Sequence, residues 1–205
     1  MAVLKLGYAL EGNSDYPVIP QLVRRVIIDA FPAIELAPDA VLRPPKRGHG
    51  FIRDLPIFAR ELHQNGVNIA VAVIDTDNAL ISERRKLLSD AKSRCAELNL
   101  PLCIADGLAV RAVEAWLLAD ERAILQIFDG DRASVTFPPP EQELLPKARL
   151  NQVVRTLTEG RELSFVSYAE ELASTIRLST LRQRCRYFDD LARNVTNCVR
   201  EWQRF

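Results

Sequence analysis

Val67-Asn68-Ile69-Ala70-Val71-Ala72-Val73-Ile74-Asp75-Thr76-Asp77 is the stretch on which the fold turns. From Val67 to Ile74 it is rich in β-branched residues and almost wholly apolar, without the alternation of a half-exposed strand. A strand of that kind is buried on both faces, which places it at the centre of a parallel sheet covered by helices. The run stops at Asp75, and in open parallel sheets ligands bind outside the carboxyl ends of the strands. Asp75 and Asp77 are two residues apart, so on extended chain they point the same way. Two aligned carboxylates repel each other, and a shared proton or a bound cation offsets the repulsion. Hard oxygen donors suit Mg²⁺ or Mn²⁺. The plainer alternative is that Asp77-Asn78 turns the chain and starts the next helix.

Working toward the N-terminus, Val3 to Leu10 reads as a second buried strand that ends at Glu11-Gly12. Asn13-Ser14-Asp15 then caps a helix whose apolar series is Val18, Leu22, Val26 and Ile27, with Pro17 in its first turn. An edge strand near Ile34 to Leu42, a Pro/Gly/Arg loop from Arg43 to Gly50 and a helix around Leu55 to Leu62 come before the central strand. After Asp77 a charged helix from Leu80 to Leu98 leads into a short strand, Leu102 to Ala105. This alternation predicts an α/β fold with a mostly parallel sheet of about four strands.

From Val110 onward the pattern is helical: Val110 to Ala119, Glu121 to Phe128, Lys147 to Leu157, Tyr168 to Ile176 and Leu181 to Val199. Phe137-Pro138-Pro139-Pro140 marks a boundary, so the expected organisation is an α/β domain over residues 1–136 and a helical C-terminal extension over 137–205 packed on it.

Composition narrows the class. With 48% hydrophobic and 26% charged residues, the 205-residue chain can bury a sizeable core. The 27 basic and 27 acidic residues cancel, so contact with nucleic acid must come from local patches. No stretch is apolar for long enough to cross a membrane, and the N-terminal run is too short for a signal core. Cys95, Cys103, Cys185 and Cys198 show no C-x-x-C pairing, and only His49 and His63 could join them on zinc. They are expected to be reduced, small apolar residues in a cytoplasmic protein, with no disulfide.

Several further residues could carry chemistry. Glu11 ends a buried strand as Asp75 does; if the two strands are neighbours, their carboxylates converge at one rim. Gly12 permits close backbone approach to a ligand. Asp15 is either a further metal ligand or a first-turn acid favoured by the helix dipole. Glu114 sits in an otherwise apolar helix, where a charge needs a metal or a partner such as Arg111 one turn earlier. Asp120 reads as the cap of the helix starting at Glu121. Lys147 either faces a phosphate or is a solvated first-turn lysine. Arg43, Lys46, Arg47, His49 and Arg53 form a basic loop suited to backbone phosphates, or a plain surface loop. From Arg177 to Phe205 there are seven Arg against three acids, a local excess of four positive charges (seven minus three).

Glu followed by Gly after the first strand, an Asp-x-Asp after a later one, and βα alternation between them resemble the Toprim superfamily. The run Glu11-Gly12-Asn13-Ser14-Asp15 looks like the Toprim half of the OLD-family nucleases. Arg111-Ala112-Val113-Glu114-Ala115-Trp116-Leu117-Leu118-Ala119-Asp120, Leu145-Pro146-Lys147 and Leu181-Arg182-Gln183-Arg184-Cys185 resemble small stand-alone Toprim-like bacterial proteins of an uncharacterised family. The resemblance implies Mg²⁺-dependent phosphodiester hydrolysis on nucleic acid, with DNA as the expected substrate. It implies metal ligands at Glu11, Asp15, Asp75 and Asp77, with Glu114 the further candidate, and a phosphate-facing Lys147. It also implies an ATPase partner in a defence-type system. The chain has no Walker Gly-x-x-x-x-Gly-Lys of its own, so a P-loop ATPase would act in trans. Two other readings stand beside this one: a non-catalytic subunit that binds metal or nucleotide, and a phosphatase with an aspartate nucleophile in Asp75-Thr76-Asp77-Asn78-Ala79. The oligomeric state is left open.

Overall fold

The computed structural model describes residues 3–42 and 50–204. In chain order the strands and α-helices are β1 (Val3–Leu4), β2 (Leu6–Leu10), α1 (Ile19–Ala30), β3 (Glu35–Leu36), β4 (Ala40–Leu42), α2 (Gly50–Arg53), α3 (Leu55–Gln64) and β5 (Ile69–Asp75). They continue as α4 (Ile81–Ala96), β6 (Cys103–Ala109), α5 (Glu114–Leu117), α6 (Glu121–Ile127), α7 (Pro146–Leu157), α8 (Phe165–Thr175), α9 (Leu178–Arg184) and α10 (Arg186–Trp202). Four strands form one sheet in the order β4-β2-β5-β6, every pair parallel; β1 and β3 make a separate two-residue parallel pair. The expected α/β architecture, a four-stranded parallel sheet flanked by helices and followed by C-terminal helices, is the one observed.

β5 is central, as its apolar run requires. Ile69, Val71 and Val73 belong to one hydrophobic cluster and Ala70, Ala72 and Ile74 to another, so its two faces enter different layers. Burying each Val or Ile side chain is worth about 1.5–3 kcal/mol, which exposure on either face would forfeit. α3 and α4 cover the face of the alanines. The other face packs against α1 and α10, in one core that runs from Leu6 through Trp116 to Leu150, Leu172, Phe188 and Val199. The helices after residue 137 therefore share the sheet's own core. Gly107 on β6 allows this closeness, since a Cβ there would stand 3.0 Å from Leu191 of α10.

Some local expectations are corrected. α1 begins at Ile19 with Pro20 in its first turn, so Asn13-Ser14-Asp15 does not cap it. β6 runs to Ala109, beyond the expected Ala105, because its alternation continues with Ile104 and Leu108 on one face and Ala105 and Ala109 on the other. The helix expected from Val110 shrinks to α5, since the chain first makes a left-handed turn at Arg111 (φ 64°). The helix expected from Leu181 to Val199 breaks at Cys185, whose extended backbone (φ −123°, ψ 96°) separates α9 from α10. Cys103 and Cys198 form a disulfide between β6 and α10, contrary to the expectation of none. The two cysteines are 95 residues apart, and only the packing of α10 on β6 brings their Cα atoms to 5.6 Å. No helix among the described residues is long and apolar enough to cross a membrane.

Candidate functional site

The strand register assembles the site. Leu10 pairs with Val73 and Asp75 with Ala109, so β2, β5 and β6 end together on one rim. Glu11, one residue past β2, reaches across: its Oε2 accepts a hydrogen bond from the Asp75 backbone N–H at 3.1 Å. The neighbouring strands that the convergence of Glu11 and Asp75 required are present. Asp15 lies in the turn after β2, buried to 3% exposure. Its Oδ2 accepts from the Gly12 N–H at 2.9 Å and its Oδ1 from the Ser14 hydroxyl at 3.3 Å, which fixes the carboxylate by local chain geometry.

Beyond Asp75 the chain does not enter a helix at once. Thr76 N–H donates to Ala109 O at 2.9 Å and Asp77 N–H to Arg111 O at 3.0 Å, extending the β5–β6 pairing past the strand ends. Asp77 and Arg111 are both left-handed, with φ of 46° and 64°. The conformation is tolerated by Asp but costs Arg111 about 1–2 kcal/mol; Asn99, Asp129 and Glu159 adopt it away from this rim. The buried Thr76 hydroxyl accepts from Arg111 N–H at 2.7 Å, while the Arg111 guanidinium donates to Asp77 O at 2.9 Å and Asn78 Oδ1 at 3.0 Å. α4 starts only at Ile81 with Leu80 at the cap position and no side-chain cap, so the plain helix-start role for Asp77-Asn78 is not taken up. Thr76 and Arg111 are rim residues that the sequence did not single out as such. The one available signal was that both flank strand ends.

Glu114, at the start of α5, is 1% exposed, and neither of its carboxylate oxygens has a hydrogen-bond partner among the described residues. Its nearest cation is Lys147 Nζ at 3.5 Å, on α7, and not Arg111, which is engaged at Asp77 and Asn78. Burial holds the Glu114 carboxyl above its ordinary range, with Lys147 pulling the other way. Burial also raises Asp15, against the lowering effect of its Gly12 and Ser14 hydrogen bonds. Asp75 receives the sum: burial first, then the charges of Asp15, Glu114, Glu11 and Asp77, push it up to about 9. Lys147 mirrors this. Burial works against its charge, yet Glu114, Asp75 and Asp15 hold its pKa above the ordinary lysine value. On α8, burial and then Glu114 push the Tyr168 phenol up to about 12.

The structure thus brings Glu11, Asp15, Asp75, Asp77, Glu114 and Lys147 into one electrostatic neighbourhood. Whether these residues suit a cation is decided by their chemistry. All the acidic donors are hard carboxylate oxygens, and the two of Glu114 are buried without a hydrogen bond, as oxygens intended for a cation would be. In the positions they take, no three His, Cys, Asp or Glu side chains among the described residues are grouped closely enough to hold a metal ion. A cation would have to draw the carboxylates inward against their mutual repulsion.

Other predicted residues are placed elsewhere. Arg53 is exposed at the end of α2, while Arg43, Lys46, Arg47 and His49 lie outside the described residues. Asp120 stands at the cap position of α6, as expected, with the Ala123 N–H a minor influence on its carboxylate; its main bonds come from Arg177 backbone N–H, Nε and Nη2 at 2.9, 2.9 and 2.7 Å. Part of the arginine excess of the C-terminal helices is met by acids from outside that segment: Arg177 pairs with Asp120 and Arg184 with Glu121 and the Ala119 carbonyl, while Arg182 and Arg193 pair with Asp189 and Asp190 within it.

Residues 11–196 match the family model described as a domain of unknown function, DUF4276. The chain belongs to that family. Its matched span opens on Glu11 and takes in the whole rim, α7 and most of α10. No curated protein and no solved structure matches the chain.

Proposed function

We propose that this DUF4276 protein is a metal-dependent phosphodiesterase acting on nucleic acid, with Mg²⁺ or Mn²⁺ held by Glu11, Asp75 and Asp77 and completed by Asp15 and Glu114. The observation that carries the reading is the Glu11 carboxylate seated on the Asp75 N–H at the rim of a parallel sheet, with Asp15, Asp77 and Glu114 in electrostatic reach of Asp75 and Glu114 buried and lacking a hydrogen bond. A fold does not retain such a cluster for stability, because each ionised neighbour raises the cost of ionising the next. A divalent cation removes that cost, and when bound it polarises the phosphoryl oxygen and lowers the pKa of a coordinated water. The resemblance to Toprim nucleases points to the same chemistry at the same residues.

The chain's own groups then have defined tasks. Asp75 and Asp77 bind from the β5 end. Glu11, held against the Asp75 N–H, keeps one carboxylate oxygen in place and can move a proton at the other. Lys147, kept charged by the acids, offers its ammonium to a non-bridging phosphate oxygen, where negative charge grows during displacement. The Arg111 guanidinium, bonded to Asp77 O and Asn78 Oδ1, holds the left-handed turn that carries Asp77. A P-loop ATPase acting in trans is part of the proposal, and co-purification from the native host tests it: protein recovered free of any ATPase removes that partner.

The direct test is cleavage of plasmid, oligodeoxynucleotide and RNA substrates with Mg²⁺ or Mn²⁺ and with EDTA. Cleavage is expected with the metals alone, and Asp77→Asn is expected to lower the rate at least about a hundredfold, the scale of several kcal/mol of metal positioning. Full activity in that variant would sink the metal site. Metal binding with no cleavage of any substrate would leave the non-catalytic reading in its place.

A further inference from the structure

The acidic rim occupies one end of α7 and leaves the other unexplained. Lys147, Asn151 and Arg155 follow at intervals of four along α7, so they form one stripe of that helix. By helix rise, Lys147 and Arg155 are about 12 Å apart, the span of a few nucleotides of one strand. The far end of the stripe opens on a groove of about 500 Å³ lined by α7, α8 and the segment that joins them. That volume suits a ligand of nucleotide size.

The groove's chemistry is specific. Phe165 and the buried Tyr168 meet edge to face at 5.7 Å, and the Tyr168 hydroxyl donates to Asn151 Oδ1 at 3.2 Å, so the aromatic pair is tied to the stripe. Gln152, Arg155, Arg161 and one acid, Glu162, complete the polar wall, so its two arginines outnumber its single carboxylate. Among the described residues no ion pair engages Arg155 or Arg161, in contrast to Arg182, Arg184 and Arg193. An aromatic ring beside amides and unpaired arginines is the equipment of single-strand recognition, in which bases stack on rings and phosphates pair with guanidinium groups. A duplex keeps its bases stacked on one another and cannot use the ring.

We infer that the groove between α7 and α8 is a subsite for single-stranded nucleic acid, where one unstacked base lies against Phe165 and Arg155 and Arg161 hold its flanking phosphates. The inference rests on the phosphodiesterase reading of the rim: the strand runs along the α7 stripe, and the phosphate at Lys147 is the one presented to the carboxylates.

The test is fluorescence anisotropy with a labelled oligothymidylate of about 12 nucleotides in EDTA, which silences the chemistry. The single strand is expected to bind at least about tenfold tighter than a blunt duplex of equal length or thymidine monophosphate. Arg155→Ala with Arg161→Ala should weaken it at least about tenfold and flatten the salt dependence by about 0.7 per lost phosphate contact. Phe165→Ala should weaken it about tenfold or more, and Phe165→Trp should restore binding, which separates stacking from a folding defect. Unchanged affinity in the double arginine variant, or equal affinity for duplex or mononucleotide, overturns the subsite. Its failure is distinct from failure of the rim: wild-type binding without cleavage sinks the nuclease and leaves the subsite, whereas an arginine variant that cleaves with unaltered KM sinks the subsite and leaves the nuclease.

Discussion

Glu114 and Asp120 are six residues apart, each 1% exposed, and stand in opposite electrostatic states. Arg177 gives Asp120 three hydrogen bonds; burial works against the charge, but those bonds outweigh it and hold the pKa below the ordinary carboxylate value. Glu114 has a lysine at 3.5 Å and no hydrogen bond, and burial holds its pKa high. The two carboxylates mark two regimes within one fold. The C-terminal helices are joined to the rest of the fold through satisfied ion pairs whose arginines remain partly exposed. The rim at the ends of β2, β5 and β6 keeps Glu114 buried without a hydrogen bond and sets Asp75 among other acids, an arrangement that a bound cation would relieve.

The largest effect that would sharpen this contrast is on catalysis. Asp75→Asn should lose at least about a hundredfold in metal-dependent cleavage while keeping or raising the apo melting temperature. Asp120→Asn should cleave at the wild-type rate per folded molecule while melting several degrees lower. Equal stability losses in both variants would erase the distinction between rim and scaffold.

The pH dependence of stability comes next, and its sign differs between the two regions. Asp75 has a folded pKa of about 9, above the unfolded value near 4, so between those limits the folded state binds more protons and stability falls as pH rises. Asp15 and Glu114 are shifted in the same direction. Asp120 is shifted down; its contribution is present above about pH 4 and lost in acid. Melting curves in EDTA should therefore show wild-type stability declining from pH 5 to about 9, a slope that Asp75→Asn flattens and Asp120→Asn leaves in place. A wild-type slope unchanged by Asp75→Asn would place the titrating group elsewhere.

A smaller effect separates the regions through the cation itself. At ten times its dissociation constant, Mg²⁺ at one site should add about 1.4 kcal/mol, a shift of a few degrees, at matched ionic strength. Asp75→Asn should lose nearly all of that gain and Asp120→Asn none of it. Stabilisation equal in the two variants would mean that Mg²⁺ acts away from the rim.

The smallest effect tests the strained turn. Arg111→Ala removes the guanidinium bonds to Asp77 and Asn78 and keeps a Cβ at φ 64°, whereas Arg111→Gly removes the bonds and relieves the backbone. The glycine variant should be the more stable by about 1 kcal/mol in denaturant unfolding. Alanine matching glycine would show that the left-handed turn at Arg111 carries no strain.

Patterns local in the chain are legible in the amino-acid sequence. The apolar run of β5 announces a strand covered on both sides, and the abrupt Asp75 after it announces a rim, because periodicity and β-branched composition report burial directly. Glu11, Asp15, Glu114 and Lys147 can be nominated since each is a charge where the neighbouring pattern is apolar or ends. Their grouping is a different matter. It depends on which strands pair, and the β2–β5 register that brings Glu11 to the Asp75 N–H is a contact across 64 residues. The break at Cys185, the Cys103–Cys198 disulfide and the capture of Asp120 by Arg177 likewise depend on how α9 and α10 dock, which no local propensity encodes. The α/β elements, the central strand and the residue types able to hold a hard cation are thus written in the chain itself, because they follow from short-range burial and charge. Which carboxylates are satisfied and which are not is settled by tertiary packing, because a buried charge is stabilised by the partner that packing brings to it, and those partners come from distant parts of the chain.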